Sequence, residues 1–461
     1  MLFFRGDNAK SYTVDLQAQV IALPKIEKAL LGRTPHRPAS DASVAWLKNV
    51  PLFQWIDIPN SQLTTHLGDE YFARIGLPRP TQRGYSVSWG TNKYGLNWPN
   101  WEGYGWNQSH YSYSGMAFDS RGSKLLIGGG DAHWAENGVH VFQFGVDVPK
   151  WTQEYIRSSG KDYFKNPRPD RSFPTPVSGD DRRDDRMYDG GHRGGHSYFA
   201  QQFLEAREWY VHFYQQQYWP LDEGGSAAVH VAENGKWRSD NPIPNMPNWT
   251  NDENVWVQKH PVTEDVYCWG IRQWGEGVLS VWRQAANKWE QILSLPEEAG
   301  ARVTGSIDWT NGYILFGGSI GGQGPQAKPR FWITNLNSPK KIPVTLVGPH
   351  AAAFQPYRNG GLWWNPDLRK HLWYPDDGYV YTLERTGPAK FSVDRLPMTG
   401  IAPTPDAQFK LKGGGILNNF QYVPELRGMV LRIADNLPIK FFRTANSDVS
   451  SRPTPARERP L

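Results

Sequence analysis

The chain has 461 residues, more than one hydrophobic core usually serves, so two domains or one repeat-built domain with extensions are expected. Its 50 Lys and Arg against 45 Asp and Glu leave a formal charge of +5, with basic residues scattered except near the ends; this argues against a duplex nucleic-acid binder. One cysteine, Cys268, excludes an intramolecular disulfide and a cysteine-based zinc site, and no window approaches the ~20 apolar residues that span a bilayer.

The 22 Trp, 21 Tyr and 20 Phe, together with 46 Gly and 36 Pro, predict many short strands joined by tight turns. At the start, "MLFFRGDNAK" has an apolar patch cut off by Arg5 and Asp7 and lacks the h-region of a secretory signal. The expected location is therefore a virion or the cytoplasm, or outside the cell if the chain is a mature form. Residues 1–50 carry a candidate strand, "SYTVDLQAQVIAL", and the short amphipathic "KIEKALLGR", and read as a strap on the main domain or an arm that docks on a partner. Leu52–Pro59, "LFQWIDIP", is a spare strand with Trp55 in it, and "YSVSWG" at Tyr85–Gly90 is another short candidate.

From Ser114 the sequence repeats. The apolar strand after each turn begins near Leu125, Trp209, Val266, Ile314, Leu372 and Met429, and the later steps stay close to the period of a propeller blade of about 40 to 50 residues. Turns such as "DSRGS", "WTNGY" and "PELRG" precede these strands. Third strands such as "VHVFQF" and "YVYTLE" follow them, and a fourth strand carries a large residue: Trp151, Trp237, Trp289, Ile342 or Phe391. Four antiparallel strands per unit imply an all-β propeller. The Gly run in "KLLIGGG" is expected where inner strands crowd the axis, and the outer-strand aromatic where the gap between blades widens. The last unit supplies only three strands, so the strand around Trp55 is expected to complete it and close a ring of six blades, or of seven if Tyr85–Gly90 belongs to an irregular blade.

"LLIGGGDAHWAENGVHVFQF" and "YILFGG" resemble kelch repeats, the blades also found in the central domain of galactose oxidase. "WNQSHYSYSGMAFDSRGSKLLIGGG", "GGHSYFAQQFLEAREWYVHF" and "GGILNNFQYVPELRGMVLRI" resemble kelch-like propellers of bacteria and their phages. The resemblance covers about Pro51 to Thr444 and speaks to fold, since propellers host many functions. The expected organisation is an arm at 1–50, a propeller at 51–444 with a polar, Pro-rich insertion at 156–193, and a tail at 445–461 too poor in apolar residues to fold alone.

Loops before the first strand of a blade and between its second and third strands emerge on one side of a propeller. They place His110, Tyr111, Asp131, His133 and Trp134 with His192, Arg193 and His196, and with Arg272 and Trp274, as a candidate binding face. Gln323, Lys328, Asp376 and Asp377 join them. Aromatics and hydrogen-bonding groups of this kind suit a peptide or carbohydrate. A copper-radical oxidase would need two His, two Tyr and a Cys bonded to one Tyr, but Cys268 sits mid-strand in "VYCWG", where a small buried hydrophobe is expected. No sialidase box occurs. A lyase for acidic sugars would draw on His110, His192, Arg193 and Tyr198.

Two functions follow. The first is a non-enzymatic interaction protein that binds other protein chains of an assembly, with a surface glycan as a further candidate partner, in a phage virion or at a cell surface. The alternative is a carbohydrate-active enzyme on the His-rich face. No cofactor, metal, duplex nucleic acid or membrane span is expected.

Overall fold

Hairpin turns and alternating apolar strands build six successive sheets. The computed structural model describes residues 45–47, 50–63, 89–91, 97–99, 115–119, 124–128, 139–155, 201–213, 229–233, 235–238, 242–244, 246, 256–271, 277–295, 304–320, 328–354, 360–375, 377–403, 416–433 and 437–445. Among these, the helical elements are 3₁₀ turns of three residues, and Leu63 alone is α-helical.

Blade 1 is Ala117–Asp119, Lys124–Gly128, Val139–Gln143 and Lys150–Tyr155; blade 2 is Gln201–Leu204, Trp209–Phe213, Val229–Glu233 and Lys236–Trp237. Blade 3 is Trp256–Lys259, Val266–Ile271, Gly277–Arg283 and Lys288–Leu295, and blade 4 is Thr304–Asp308, Tyr313–Ile320, Lys328–Asn335 and Ile342–Pro343. Blade 5 is Gly361–Asn365, Lys370–Tyr374, Tyr381–Gly387 and Lys390–Arg395, with Thr345–Val347 added in parallel at its outer edge. Blade 6 is Phe420–Val423, Gly428–Leu431 and Lys440–Arg443, and its fourth strand is Gln54–Asp57 from the other end of the chain, with Thr399–Gly400 added in parallel outside it. All six repeat positions fall in second strands and all six large residues, Trp55 included, in outer strands. Trp89–Thr91 pairs with Asn97–Pro99 as a separate two-stranded hairpin, so the ring has six blades.

From blade 1 to blade 6 each innermost strand lies beside that of the next blade, and side-chain amides fasten neighbours. Gln202 of blade 2 donates to the Val257 carbonyl (3.1 Å) and accepts from the Lys259 N–H (3.1 Å), filling both roles of a peptide group against blade 3. Gln258 of blade 3 accepts from the Ile307 N–H of blade 4 at 2.9 Å. The ring closes where Asn418, at the entry to blade 6, donates to the Met116 carbonyl of blade 1 at 2.8 Å and Gln421 donates to the same oxygen. These amides are buried, where a lost partner costs about 1–3 kcal/mol.

Outer-strand aromatics reach back to the preceding blade. Trp289 meets Phe213 edge-on at 6.0 Å, Trp55 meets Tyr374 at 6.2 Å, and Phe391 meets Tyr313 at 6.5 Å. The glycine expectation needs a correction. Gly128 and Gly317 lie in second strands, not at the axis, and their carbonyls accept bonds from neighbouring blades: from the Tyr210 hydroxyl at 2.9 Å and the Trp269 indole at 3.3 Å. The inner-strand glycine that is sterically required is Gly305, whose Cβ would stand 2.7 Å from the Trp256 ring of the blade before.

Beyond its strand, the N-terminal segment also touches blade 1. The Trp46 indole donates to the Phe144 carbonyl at 2.9 Å and its ring stands edge-on to Phe441 of blade 6. Asn60 donates to the Pro149 carbonyl at 3.2 Å. The rest of the arm, the 156–193 insertion and the tail past 445 lie outside the described residues.

Candidate functional site

Strand direction divides the ring into two faces. Connections between second and third strands, and from one blade to the next, open on a loop face; the turns joining first to second and third to fourth strands form a turn face. The ten binding residues expected from sequence, His110, Tyr111, Asp131, His133, Trp134, His192, Arg193, His196, Arg272 and Trp274, all lie outside the described residues, as do Tyr198, Gln323 and Asp376. Lys328 opens the third strand of blade 4, paired with Ile320. Asp377 is the member of the expected set whose side chain is described, and it sits in a cluster that the sequence alone does not reveal.

That cluster occupies the loop face of blade 5. Asp377 caps its own turn, accepting from the Tyr379 N–H at 3.0 Å, while its second oxygen accepts from the Tyr381 hydroxyl at 2.7 Å. Tyr381 opens the third strand and stands directly opposite Arg395, which ends the fourth. The Arg395 guanidinium lies 3.8 Å from the centre of the Tyr379 ring and 5.8 Å from that of Tyr381. Such stacking over an exposed ring is worth about 0.5–1 kcal/mol and fixes the planar fork in one orientation. Arg395 has no carboxylate partner among the described residues. His350, from the connection between blades 4 and 5, lies 3.9 Å from Asp394 and 6.0 Å from the Tyr381 ring. A Cβ on Gly378 would stand 3.9 Å from that of Ala402; Tyr379, next to Gly378, is 48% exposed and Ile401, next to Ala402, is 82% exposed. An oriented cation, an exposed ring and an exposed aliphatic side chain together make a surface suited to docking.

The sequence signal for this site is the pair of tyrosines in "GYVYTLER", two apart on one strand face, but the cross-strand register that brings in Arg395 is not written locally.

Other titratable groups sit inside the ring. At the seam of blades 2 and 3, Lys259 pairs with Glu205, while Glu264 accepts from the Ala206 N–H at 3.0 Å and from Gln284 at 2.9 Å. Burial, the largest single effect, would raise Glu205, but the Lys259 charge together with hydrogen bonds to Glu264, Lys259 and the backbone outweighs it and holds this carboxyl below the usual range. Burial, reinforced by Glu205, holds Glu264 above it. His260 accepts the Val262 and Thr263 N–H groups, each at 3.2 Å, on Nδ1, and burial with the nearby Arg283 lowers it to about 4. His371 of blade 5 bonds Ser306 of blade 4 at 2.9 Å among the Tyr313, Trp364 and Phe391 rings, and burial lowers it to about 3. Cys268 is fully buried and its thiol is pushed well up, as its strand position led one to expect. These groups tie turn to turn and blade to blade. Among the described residues, no three His, Cys, Asp or Glu side chains converge as a metal site.

No family model matches the chain, and no curated protein matches it in sequence. Solved structures that resemble it include TolB from Acinetobacter baumannii (12% identity over 44% of this chain and 43% of that one, TM-score 0.27). They also include Sqt1 from Saccharomyces cerevisiae (11%, 70% and 69%, 0.34) and the WD40 repeats of RRP9 (12%, 71% and 78%, 0.35). The chain thus spans less than half the length of the TolB chain. Likenesses this distant carry no argument about activity, and what makes the chain a six-bladed β-propeller is its own sheet order and its closure by the N-terminal strand.

Proposed function

We propose that the chain is a non-enzymatic interaction protein, a rigid ring that presents its loop face to other protein chains of an assembly. The observation that carries this reading is the Tyr379–Arg395–Tyr381 stack: a preoriented cation with no carboxylate partner among the described residues, over an exposed ring, with Ile401 also exposed. Preorganisation of this kind lowers the entropic cost of docking. The buried Glu205–Lys259–Glu264 and Ser306–His371 groups are engaged in joining blades, which supports an architectural role for them. The kelch-like repeats favour a place in a phage virion or a bacterial surface assembly, with the N-terminal arm and the tail as docking segments.

Incorporation of Arg395→Ala and Tyr379→Ala proteins into the native particle or complex tests the reading, with a glycan array run on the unaltered protein. A central docking residue contributes 2 kcal/mol or more, so incorporation affinity should fall about 30-fold for either variant. Unimpaired incorporation of both, or strong glycan binding that both variants lose together with a measurable turnover of the glycan, would replace the interaction reading with a carbohydrate-active one.

A further inference from the structure

On the turn face, opposite the site above, the sector of blades 2 and 3 and that of blades 4 and 5 differ in charge. On the turns of blades 2 and 3, six cations (Arg207, Lys236, Arg238, Lys259, Arg283, Lys288) meet six carboxylates. Arg238 pairs with Glu233 at 2.5 Å, Arg283 with Asp265 at 3.0 Å and Glu290 at 2.8 Å, and Lys259 with Glu205. On the turns of blades 4 and 5 the count of cations is the same: Lys340, Lys341, Arg369, Lys370, Arg385 and Lys390. The carboxylates there number three, and two of them are buried. Asp308 is consumed by the Thr310 and Asn311 groups of its own turn, and Asp367 by Arg427 of blade 6 at 2.7 Å. Glu384 alone is exposed, and it is engaged with Lys370 at 2.7 Å.

The six cations are contiguous. Arg385 lies over the Tyr313 ring at 4.8 Å, which joins the third strand of blade 5 to the turn of blade 4. Lys390 stands opposite Gly387 on one side and Thr345 on the other, and Thr345 follows closely on Lys340 and Lys341. Lys370 reaches Glu384, the neighbour of Arg385, and Arg369 adjoins it. Lys340, Arg369, Arg385 and Lys390 have no ion-pair partner among the described residues, and Lys340, Lys341, Arg369 and Lys390 are exposed.

We propose that this sector is a second docking surface, for an acidic, Asp/Glu-rich segment of a partner protein. Charge complementarity selects an anionic occupant. Two other polyanions fit less well. Single-stranded nucleic acid is held by stacking bases on exposed aromatic rings, yet of the rings of this sector Tyr313 and Trp332 are 1% and 3% exposed beneath Arg385 and Lys341, and Trp309 is half-buried against the core. An anionic membrane is held by apolar side chains inserting beside the basic ones, yet the exposed large apolar residues, Leu52, Val148, Tyr379 and Ile401, come from other parts of the ring. The inference is independent of the loop-face reading, because it uses other residues on the opposite side.

The test titrates the full chain against fluorescein-labelled poly-L-glutamate, an oligo-dT single strand, and phosphatidylcholine vesicles containing phosphatidylglycerol, at low salt and again at several-fold higher salt. Poly-L-glutamate should bind best, weaken at least ten-fold with added salt, and weaken at least ten-fold in a Lys340→Glu, Lys341→Glu, Arg369→Glu, Lys390→Glu variant. Lys288→Glu, a reversal in the balanced sector, should change affinity by less than about two-fold. Should the quadruple variant fail to fold, Lys340→Ala and Lys390→Ala singly must each weaken binding at least two-fold. Absence of poly-L-glutamate binding, binding that the reversals leave intact, or equal or tighter binding of the oligonucleotide or the vesicles would overturn the proposal.

Discussion

Replacing Trp55 with Ala should open the sixth blade. Trp55 is 4% exposed in the closing strand, edge-on to Phe442 at 4.6 Å and to Tyr374 of blade 5 at 6.2 Å. Truncating a buried Trp to Ala costs about 3–5 kcal/mol, of which each aromatic pair supplies about 0.5–1.5. Its indole N–H has no partner among the described residues, so Trp55→Phe forfeits area without orphaning an acceptor and should cost less than half as much. Asp57, two positions along the same strand, is a control: its half-exposed carboxylate pairs with Lys440 at 2.6 Å, a bond worth about 0–1 kcal/mol. Urea unfolding followed by circular dichroism, with hydrogen exchange read at the amides of Lys440–Arg443, would rank the variants Trp55→Ala, Trp55→Phe, Asp57→Ala. The exchange readout guards against a transition that is not two-state. A Trp55→Ala protein within about 1 kcal/mol of the parent, with blade 6 amides as protected as before, would refute closure by this strand. So would an unchanged melting temperature after deletion of residues 1–59.

Further outcomes follow from the buried groups. Because Glu264 is held above its ordinary value of 4.5, the stability it contributes is complete below that pH and is lost as pH rises through the raised value; Glu264→Gln should flatten the alkaline limb of a stability–pH curve. The groups facing it are Glu205 and Lys259, with His260, Asp265, Arg283 and Arg207 nearby, so a limb left unchanged by the substitution would assign the effect to one of those. His371 has the opposite sign: kept neutral by burial, it contributes stability above pH 6.5 that is lost as pH falls towards about 3, and His371→Leu should reduce acid sensitivity while leaving the Ser306 hydroxyl short of a partner. Cys268 should react with thiol reagents only as fast as the native chain opens, a rate that urea raises; rapid stoichiometric labelling in buffer would contradict its burial.

Strand identity was legible because it is periodic: turn residues recur at nearly fixed steps, and each apolar run after them became a second strand. Five of the turns place a residue at positive φ just before that strand, at Glu208, Glu264, Gly312, Arg369 and Arg427, and in four of them the residue is not glycine, so glycine spotting alone would have missed them. The role of the glycines was misread for a related reason. A glycine run marks close approach without saying what approaches, and at Gly128 the visitor is a side chain from the next blade. The Arg395 cluster was invisible because a stack across two strands is a fact of register, and register is set by the pairing of Tyr381 with Arg395, fourteen positions apart. Charge balance misled in its own way. A total of +5 spread over 461 residues looks featureless, and only the folding of three separate turns onto one side of blades 4 and 5 gathers the cations.

Blade 6 also sets a clock on the making of this protein. Gln54 first meets a partner at Thr399, 345 positions on, and Ile56 pairs with Phe441, 385 positions on, so the strand is made long before its sheet. At about 5–20 residues per second that interval is roughly 20 to 80 seconds. During it the first five blades can form in order while Gln54–Asp57, with Trp55 at its centre, has no sheet to join. The nascent chain therefore carries an adhesive strand throughout that interval, and shielding by a chaperone, or pairing with the wrong copy on a crowded polysome, would be decided in that window.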